Sequence, residues 1–248
     1  MSLLYKLTAV WPLVADTPAN IGQKFLRTLD ALSTLEEWLN DWVTDDGKTF
    51  YPIDKLRNSM TEWVASRVFI DDLGEEDESN GYSVFALSNF HQAWPVGCTT
   101  SFHVNAGSTT ELSDFAQFEV GARPPRTTDL AFITFDLYKA VLLTIIGIWP
   151  SYWANASCWI WGQDPPTQPG EPPLPHHSGF QIPWISYLSP EAAAGFAPPA
   201  GIETERTPDG GFLMIATRER FDPYNAEHMR ASRIILEIMI ARRGGLGR

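Results

Sequence analysis

Residues 207–229 read TPDGGFLMIATRERFDPYNAEHM, which is a turn, a buried strand and the start of a capped helix. Pro208-Asp209-Gly210-Gly211 carries turn chemistry, because proline presets φ and glycine accepts the positive φ of tight turns. Residues 212–216 form an apolar run of the length of a buried strand. Asp222-Pro223 places an N-cap residue before a proline at the first helical position. The stretch predicts a hairpin strand followed by a C-terminal helix, with no nucleophile motif, metal-ligand set or phosphate-binding loop.

Further strand signals recur along the chain between clusters of Pro, Gly, Asn and Ser. The clearest lies in residues 5–11, YKLTAVW, where tyrosine, leucine, alanine and tryptophan alternate with the other three residues, the pattern of a strand with one buried face. Because strands follow one another in runs, the sequence predicts a mainly antiparallel sheet of the α+β class rather than alternating βαβ units. The predicted strands are residues 5–11, 82–87, 99–106, 115–120, 152–161, 184–188, 202–206 and 211–217.

Helical signals occupy the start, the middle and the end of the chain. Apolar residues spaced by three and four between Ile21 and Trp42 predict an amphipathic helix that lies against the sheet. The predicted helices are residues 18–42, 54–68, 128–149 and 223–242, with a single helical turn at 189–195. We expect one α+β domain over residues 1–248, with a mainly antiparallel central sheet flanked by these helices and a proline-rich surface loop at 164–175.

The chain is strongly acidic. Its formal net charge is −12, and residues 229–248 contribute +4 through five arginines and one glutamate, so the rest of the chain carries −16. An acidic body repels nucleic acid and anionic membranes and attracts basic proteins. We therefore expect neither nucleic acid nor membrane as a partner, and a protein partner that is basic, such as a nuclease. The ordinary alternative is that acidic side chains only maintain solubility.

Residues 140–161 are uncharged, but Pro150 interrupts them, so they predict a buried helix followed by a buried strand rather than a membrane span. The first residues show no signal-peptide pattern. Cys98 and Cys158 have no metal-ligand spacing. We predict a cytoplasmic protein whose two thiols are reduced and buried.

Motifs of known hydrolases, metalloproteases and nucleotide-binding enzymes do not occur in the sequence. His176-His177 lies beside the proline-rich loop, which is a poor setting for a rigid catalytic base. His103 is placed on the polar face of a predicted strand, where it could act as a base together with a carboxylate such as Glu119. A surface histidine is the more common explanation. We expect no catalytic residue, no cofactor and no metal.

The strand and helix quoted above resemble the C-terminal part of the Immunity protein 52 (Imm52) family. The chain start also resembles that family, with residues 5–11 followed by a long helix that ends near Trp38 and Trp42. Residues 71–179 match only by the order of elements. Imm52 proteins are antidotes found beside toxin genes in bacterial polymorphic-toxin systems. The resemblance implies an immunity protein that binds a cognate toxin, such as a type VI secretion effector, and blocks its active site.

Two other classes of function remain open. One is an enzyme of unfamiliar type with its site in the strand-rich middle, and the other is a chaperone or adaptor that delivers a secreted effector. The sequence identifies neither the toxin nor the oligomeric state.

Residues 71–78, DDLGEEDE, contain six acids. Like charges cannot pack together, so this run predicts a solvated loop. In an antidote, an acidic loop can plug the basic active site of a toxin and speed association. Exposed tryptophan is a frequent interface anchor, although most of the ten tryptophans are expected in the core. The candidate toxin-binding residues are Asp71, Asp72, Glu75, Glu76, Asp77, Glu78, Trp94 and Trp161.

Overall fold

Ten strands form one sheet in the structure, a computed structural model that describes residues 3–88, 100–110, 114–120, 130–160 and 182–243. Every strand pairs antiparallel with its neighbours, in the order β3-β2-β4-β5-β6-β1-β7-β8-β10-β9. The strands are β1 Leu3–Trp11, β2 Val43–Asp45, β3 Phe50–Pro52, β4 Tyr82–Ser88, β5 Thr100–Ala106, β6 Asp114–Val120, β7 Trp153–Ile160, β8 Ile182–Leu188, β9 Glu203–Arg206 and β10 Phe212–Ile215.

The helices pack on both faces of this sheet. They are α1 Pro18–Ser33, α2 Ile53–Leu56, α3 Met60–Ala65, α4 Phe135–Ile148 and α5 Ala226–Arg243, with short 3₁₀ segments at Arg57–Ser59, Glu78–Asn80 and Leu130–Phe132. The large core contains apolar residues of α1, α3 and α4 and one face of the sheet. Ile235 and Met239 of α5 pack with the opposite face of β8 and β10. The fold is a single α+β domain with a large antiparallel sheet, which confirms the predicted class.

Strand β1 lies in the middle of the sheet, where it pairs with β6 on one side and β7 on the other. Its alternate residues Tyr5, Leu7 and Ala9 are fully buried, because the period of a strand places them all on the helix-covered face. The Tyr5 hydroxyl donates to the carbonyl of Phe221 over 2.7 Å, which ties the first strand to the segment before α5. The predicted first strand is confirmed.

The hairpin predicted from residues 207–211 is confirmed, because β9 pairs with β10 across this turn. The Asp209 carboxylate accepts hydrogen bonds from the Thr207 hydroxyl (2.5 Å), from the Gly211 amide (3.2 Å) and from the Tyr187 hydroxyl. Burial by itself would raise the pKa of Asp209, but these donors outweigh it and lower the pKa. Gly210 has φ +89°, as the turn chemistry requires.

The prediction that the first helix reaches residue 42 is wrong, because α1 ends at Ser33. The Ser33 hydroxyl donates to the carbonyl of Leu39 (2.8 Å) and accepts from the Trp42 indole (3.1 Å). Trp38, Leu39 and Trp42 are buried, but they lie in the turns that follow α1 and not in a helix. These turns fold back on the end of α1 and bury residues spaced by three and four, as a helix would. The apolar spacing therefore continues past Ser33, where the helix ends.

Residues 54–68 do not form the one helix predicted, since α2, a 3₁₀ turn and α3 follow one another there. The sequence prediction also missed the β2–β3 hairpin. These strands have three residues each, too few to show alternation. The Asp46 carboxylate closes the connecting turn by accepting from the amides of Lys48 (2.9 Å) and Thr49 (2.8 Å).

Both later helices start after their predicted caps. Helix α4 begins at Phe135 with Thr134 as its N-cap, whereas the predicted cap at 128–129 lies outside the described residues. Helix α5 begins at Ala226, and Asn225 caps it by accepting from the Glu227 amide (2.9 Å). Asp222 instead accepts from the amide of Tyr224 in the preceding turn.

The sequence places Trp11, Trp38, Trp42 and Trp63 on inward faces, and the structure confirms this in part. Trp11, Trp38 and Trp42 are buried and Trp63 is half-buried, and the structure also buries Trp153 and Trp184. Cys158 is a free, buried thiol whose pKa is raised to about 12 by burial. Cys98, the two histidines at 176–177 and the proline-rich stretch 164–175 lie outside the described residues. Within the described part of the chain, no helix has the length and apolar character to cross a membrane.

Candidate functional site

Residues 71–78, here called the acidic turn, form a closed and hydrogen-bonded structure. The Asp71 carboxylate accepts from the amides of Leu73 (2.8 Å) and Glu75 (2.9 Å). Ile70 and Glu76 form a β-bridge, and the Asp77 amide donates to the Phe69 carbonyl over 2.8 Å. The six acids therefore lie in one defined turn.

Two of the six acids serve the turn itself and four face solvent. Besides Asp71, the Asp77 carboxylate is used internally, accepting from the Ser79 amide (3.0 Å) and the Asn80 side-chain amide (2.6 Å). The other four carboxylates belong to exposed residues, namely Asp72, Glu75, Glu76 and Glu78. The turn presents a concentrated negative charge on a backbone that is already ordered.

An apolar side chain stands at the tip of the acidic turn. Leu73 is 85% exposed, next to Gly74 with φ +83°, and Ile70 at the base is 51% exposed. The sequence prediction missed Leu73, although a single leucine inside a run of acids was the available signal. The exposed leucine can make apolar contact with a partner protein. The carboxylates around it attract a basic surface over a longer distance.

The acidic turn lies at one end of the sheet, where β1 and β5 end and β4 and β6 begin. The Thr109 amide, just after β5, donates to the Ser79 carbonyl over 2.8 Å. Asp114 opens β6 and accepts from the amides of Gly107 (3.2 Å) and Ser108 (3.0 Å). Gly107 lies against the backbone of Asp16 in the loop after β1. We call this region, with the acidic turn, residues 107–110 and the loop 12–17, the acidic end of the sheet.

The structure does not place all the predicted binding residues together. It brings the six acids into one turn, whereas Trp94 and Trp161 lie outside the described residues.

His103 lies on the side of the sheet opposite α1 and α4, with its Nε2 2.8 Å from the Ser83 hydroxyl. Burial, assisted by the nearby charge of Lys6, lowers the pKa of His103, so the imidazole is neutral at physiological pH. Glu119 is the cross-strand partner of Lys6 on the same face. Burial lowers the pKa of Lys6, and Glu119 acts in the opposite direction.

Ser83 and His103 bring a hydroxyl and an imidazole within hydrogen-bond distance. The Ser83 amide donates to the Arg67 carbonyl, so it is not available to stabilise an oxyanion. Within the described ranges, no three His, Cys, Asp or Glu side chains cluster in a way that could hold a metal ion. The Ser83–His103 pair is a polar contact on a sheet face, and the acidic end of the sheet is the stronger candidate site.

No protein-family model matches the chain, and no curated protein matches it. Among solved structures, the chain is similar to the Pseudomonas aeruginosa T6SS protein PA0821, where T6SS denotes the type VI secretion system. The TM-score is 0.52 and the sequence identity is 10%, over 95% of this chain and 73% of that chain. At this identity the likeness concerns the fold alone.

Proposed function

We propose that this chain is an immunity protein of the Imm52 type, which binds a cognate type VI secretion effector in the cytoplasm and neutralises it by direct contact. The observation that carries the proposal is the acidic turn, an ordered and exposed cluster of carboxylates around Leu73. The fold likeness to a T6SS protein supports the setting. The resemblance of both chain ends to Imm52 supports the role.

The geometry of the acidic turn suits recognition of a basic protein. A flexible loop loses conformational entropy when it docks, and this loss subtracts from affinity. Hydrogen bonds to Asp71 and Asp77 have already fixed this turn, so its contacts retain more of their free energy. The exposed carboxylates attract a basic partner during approach, and Leu73 supplies apolar contact after docking.

The direct test is co-expression in a bacterial host with each effector gene encoded beside the gene for this chain. We expect one of these effectors to arrest growth alone and to be harmless when this protein is present. The protein should co-purify with that effector. If no neighbouring effector is neutralised while one of them needs this protein for secretion, the adaptor alternative replaces immunity.

Neutralising the four exposed acids of the turn is expected to slow association with the effector by about 10-fold or more at low salt, because the steering field is lost. The variant carries Asp72→Asn, Glu75→Gln, Glu76→Gln and Glu78→Gln and keeps Asp71 and Asp77, which hold the turn closed. Dissociation should change less. Surface plasmon resonance at two ionic strengths measures both rates.

A matched control removes four exposed acids elsewhere, at Glu36, Glu37, Glu62 and Glu237. Both variants have the same net charge, so they differ only in where the charge was lost. Equal association rates for the two variants would show that total charge, rather than the acidic turn, attracts the effector.

His103→Ala is expected to leave protection against the effector unchanged, since the imidazole contacts Ser83 on the sheet face and takes no part in binding through the acidic turn. Growth under co-expression and the melting temperature are measured together. Loss of protection at an unchanged melting temperature would support the alternative of an enzyme that uses His103 with Glu119.

A further inference from the structure

The loops at the ends of β1 and β8 and before β7 frame a surface groove of about 480 Å³. Its walls include three prolines, Pro12, Pro150 and Pro190, together with Val14 and Tyr152. Val14 is 56% exposed and the adjacent Leu13 is 40% exposed. The groove thus gathers apolar surface from three distant parts of the chain in one open depression.

The two serine hydroxyls of the groove are already engaged with the backbone. The Ser151 hydroxyl donates to the Trp149 carbonyl over 3.1 Å, and the Ser189 hydroxyl oxygen accepts from the Ala192 amide over 3.1 Å. An occupant therefore meets an apolar floor, which favours an aliphatic or aromatic side chain over a polar one.

The walls of the groove are preformed. Proline fixes φ at three wall positions. The Tyr152 amide donates to the Val10 carbonyl (2.8 Å), and the Ser189 amide donates to the Tyr152 carbonyl (3.0 Å). These bonds hold Tyr152 against β1 and Ser189 against Tyr152, so this part of the wall is preformed and an anchor side chain can enter with little ordering cost.

A carboxylate at the rim of the groove favours a positive charge next to the side chain that enters it. Glu191 lines the groove and is exposed, and among the described residues no cation lies within salt-bridge distance of its carboxylate. Asp16, in the same loop as Val14, is already paired with Lys24 at 2.9 Å. A lysine or arginine next to the anchor would complement Glu191.

The groove adjoins the acidic end of the sheet through the loop 12–17, since Pro12 and Val14 line the groove and Asp16 of the same loop lies against Gly107. We propose that the groove is the second half of the effector-binding surface, and that it receives an apolar anchor residue of the effector flanked by a lysine or arginine. This inference rests on the proposed function and names the partner chemistry at that end of the sheet. The acidic turn attracts the effector, and the groove retains it.

Val14→Arg tests this proposal, because the exposed side chain can change without disturbing the core while the new cation blocks the groove and repels the basic flank. We expect the dissociation constant for the effector to rise about 30-fold or more, mainly through faster dissociation. Glu191→Lys should weaken binding in the same direction. Phe50→Arg is the control, an exposed apolar residue (40%) on the far edge strand β3.

The outcomes separate the two proposals. If the unaltered protein binds its neighbouring effector and Val14→Arg dissociates no faster than Phe50→Arg, the groove proposal is overturned while the proposed function stands. If the unaltered protein binds no effector, both fall. If light scattering shows a dimer that Val14→Arg converts to a monomer, the groove seats a second copy of this chain and the proposal is also overturned.

Discussion

Gly81→Ala is expected to lower the free energy of unfolding by about 4 kcal/mol and the melting temperature by on the order of 10 °C. Gly81 has φ 76° and ψ −154°, a region that only glycine adopts without strain. A Cβ there would lie 2.5 Å from the Ala106 carbonyl oxygen and 2.8 Å from the Ser108 nitrogen. Both neighbours are backbone atoms, so no side chain can move to relieve the contact.

Gly74→Ala is the matched control for this prediction. Gly74 also has a positive φ, +83°, but a Cβ there would have nothing within 4 Å. Only the backbone strain remains, so we expect a loss of about 1 kcal/mol. Thermal unfolding of both variants decides the matter, and similar losses would show that the close approach of Gly81 to β5 is unimportant.

Asp114→Ala is expected to cost about 4 kcal/mol of stability, because several buried donors lose one shared acceptor. Asp114 is fully buried, and its carboxylate accepts from the amides of Gly107 and Ser108. The Val14 amide and the Trp11 side chain also bond to it. The variant should loosen the acidic end of the sheet, including the groove wall at Val14. Chemical denaturation measures the loss, and a change below about 1 kcal/mol would contradict it.

Asp114→Asn provides the pH test of the same carboxylate. Burial raises the pKa of Asp114 to about 6, against an ordinary value of 3.8, although its hydrogen-bond donors act in the opposite direction. Between these two pH values the folded state binds more protons than the unfolded state, so this group's contribution to stability falls as pH rises through about 6.

We therefore expect the stability of the natural protein, relative to Asp114→Asn, to be lower at pH 7.5 than at pH 4.5. Urea unfolding of both proteins at the two pH values gives this difference. A relative stability that grows with pH would mean that the donors dominate and lower the pKa.

The sequence predicted an element correctly where its local pattern matches the burial of the residues in the fold. The alternation in residues 5–11 and the turn at 207–211 each determine a strand or a hairpin by themselves, and both are confirmed. The pattern misled where residues are buried in turns. Trp38 and Trp42 keep the spacing of a helix although α1 has already ended at Ser33. The start of α5 was misplaced because Asp222 and Asn225 are both capping residues three positions apart.

The candidate site was predictable in composition but not in shape. The charge of residues 71–78 is evident from sequence, whereas the inward use of Asp71 and Asp77 depends on how the backbone closes. The groove was not foreseeable, because Pro12, Pro150 and Pro190 meet only when β1, β7 and β8 become neighbours. Strand order is a property of the whole chain and has no local signature.

The central claim is that this protein neutralises its effector by direct binding, and titration of the effector's activity tests it most directly. Purified protein is added in increments to purified effector, and the remaining toxic activity is measured. We predict a linear fall to zero at about one molar equivalent, as tight binding requires, and a shallower curve for Val14→Arg. Full effector activity at a several-fold excess of this protein would contradict the account.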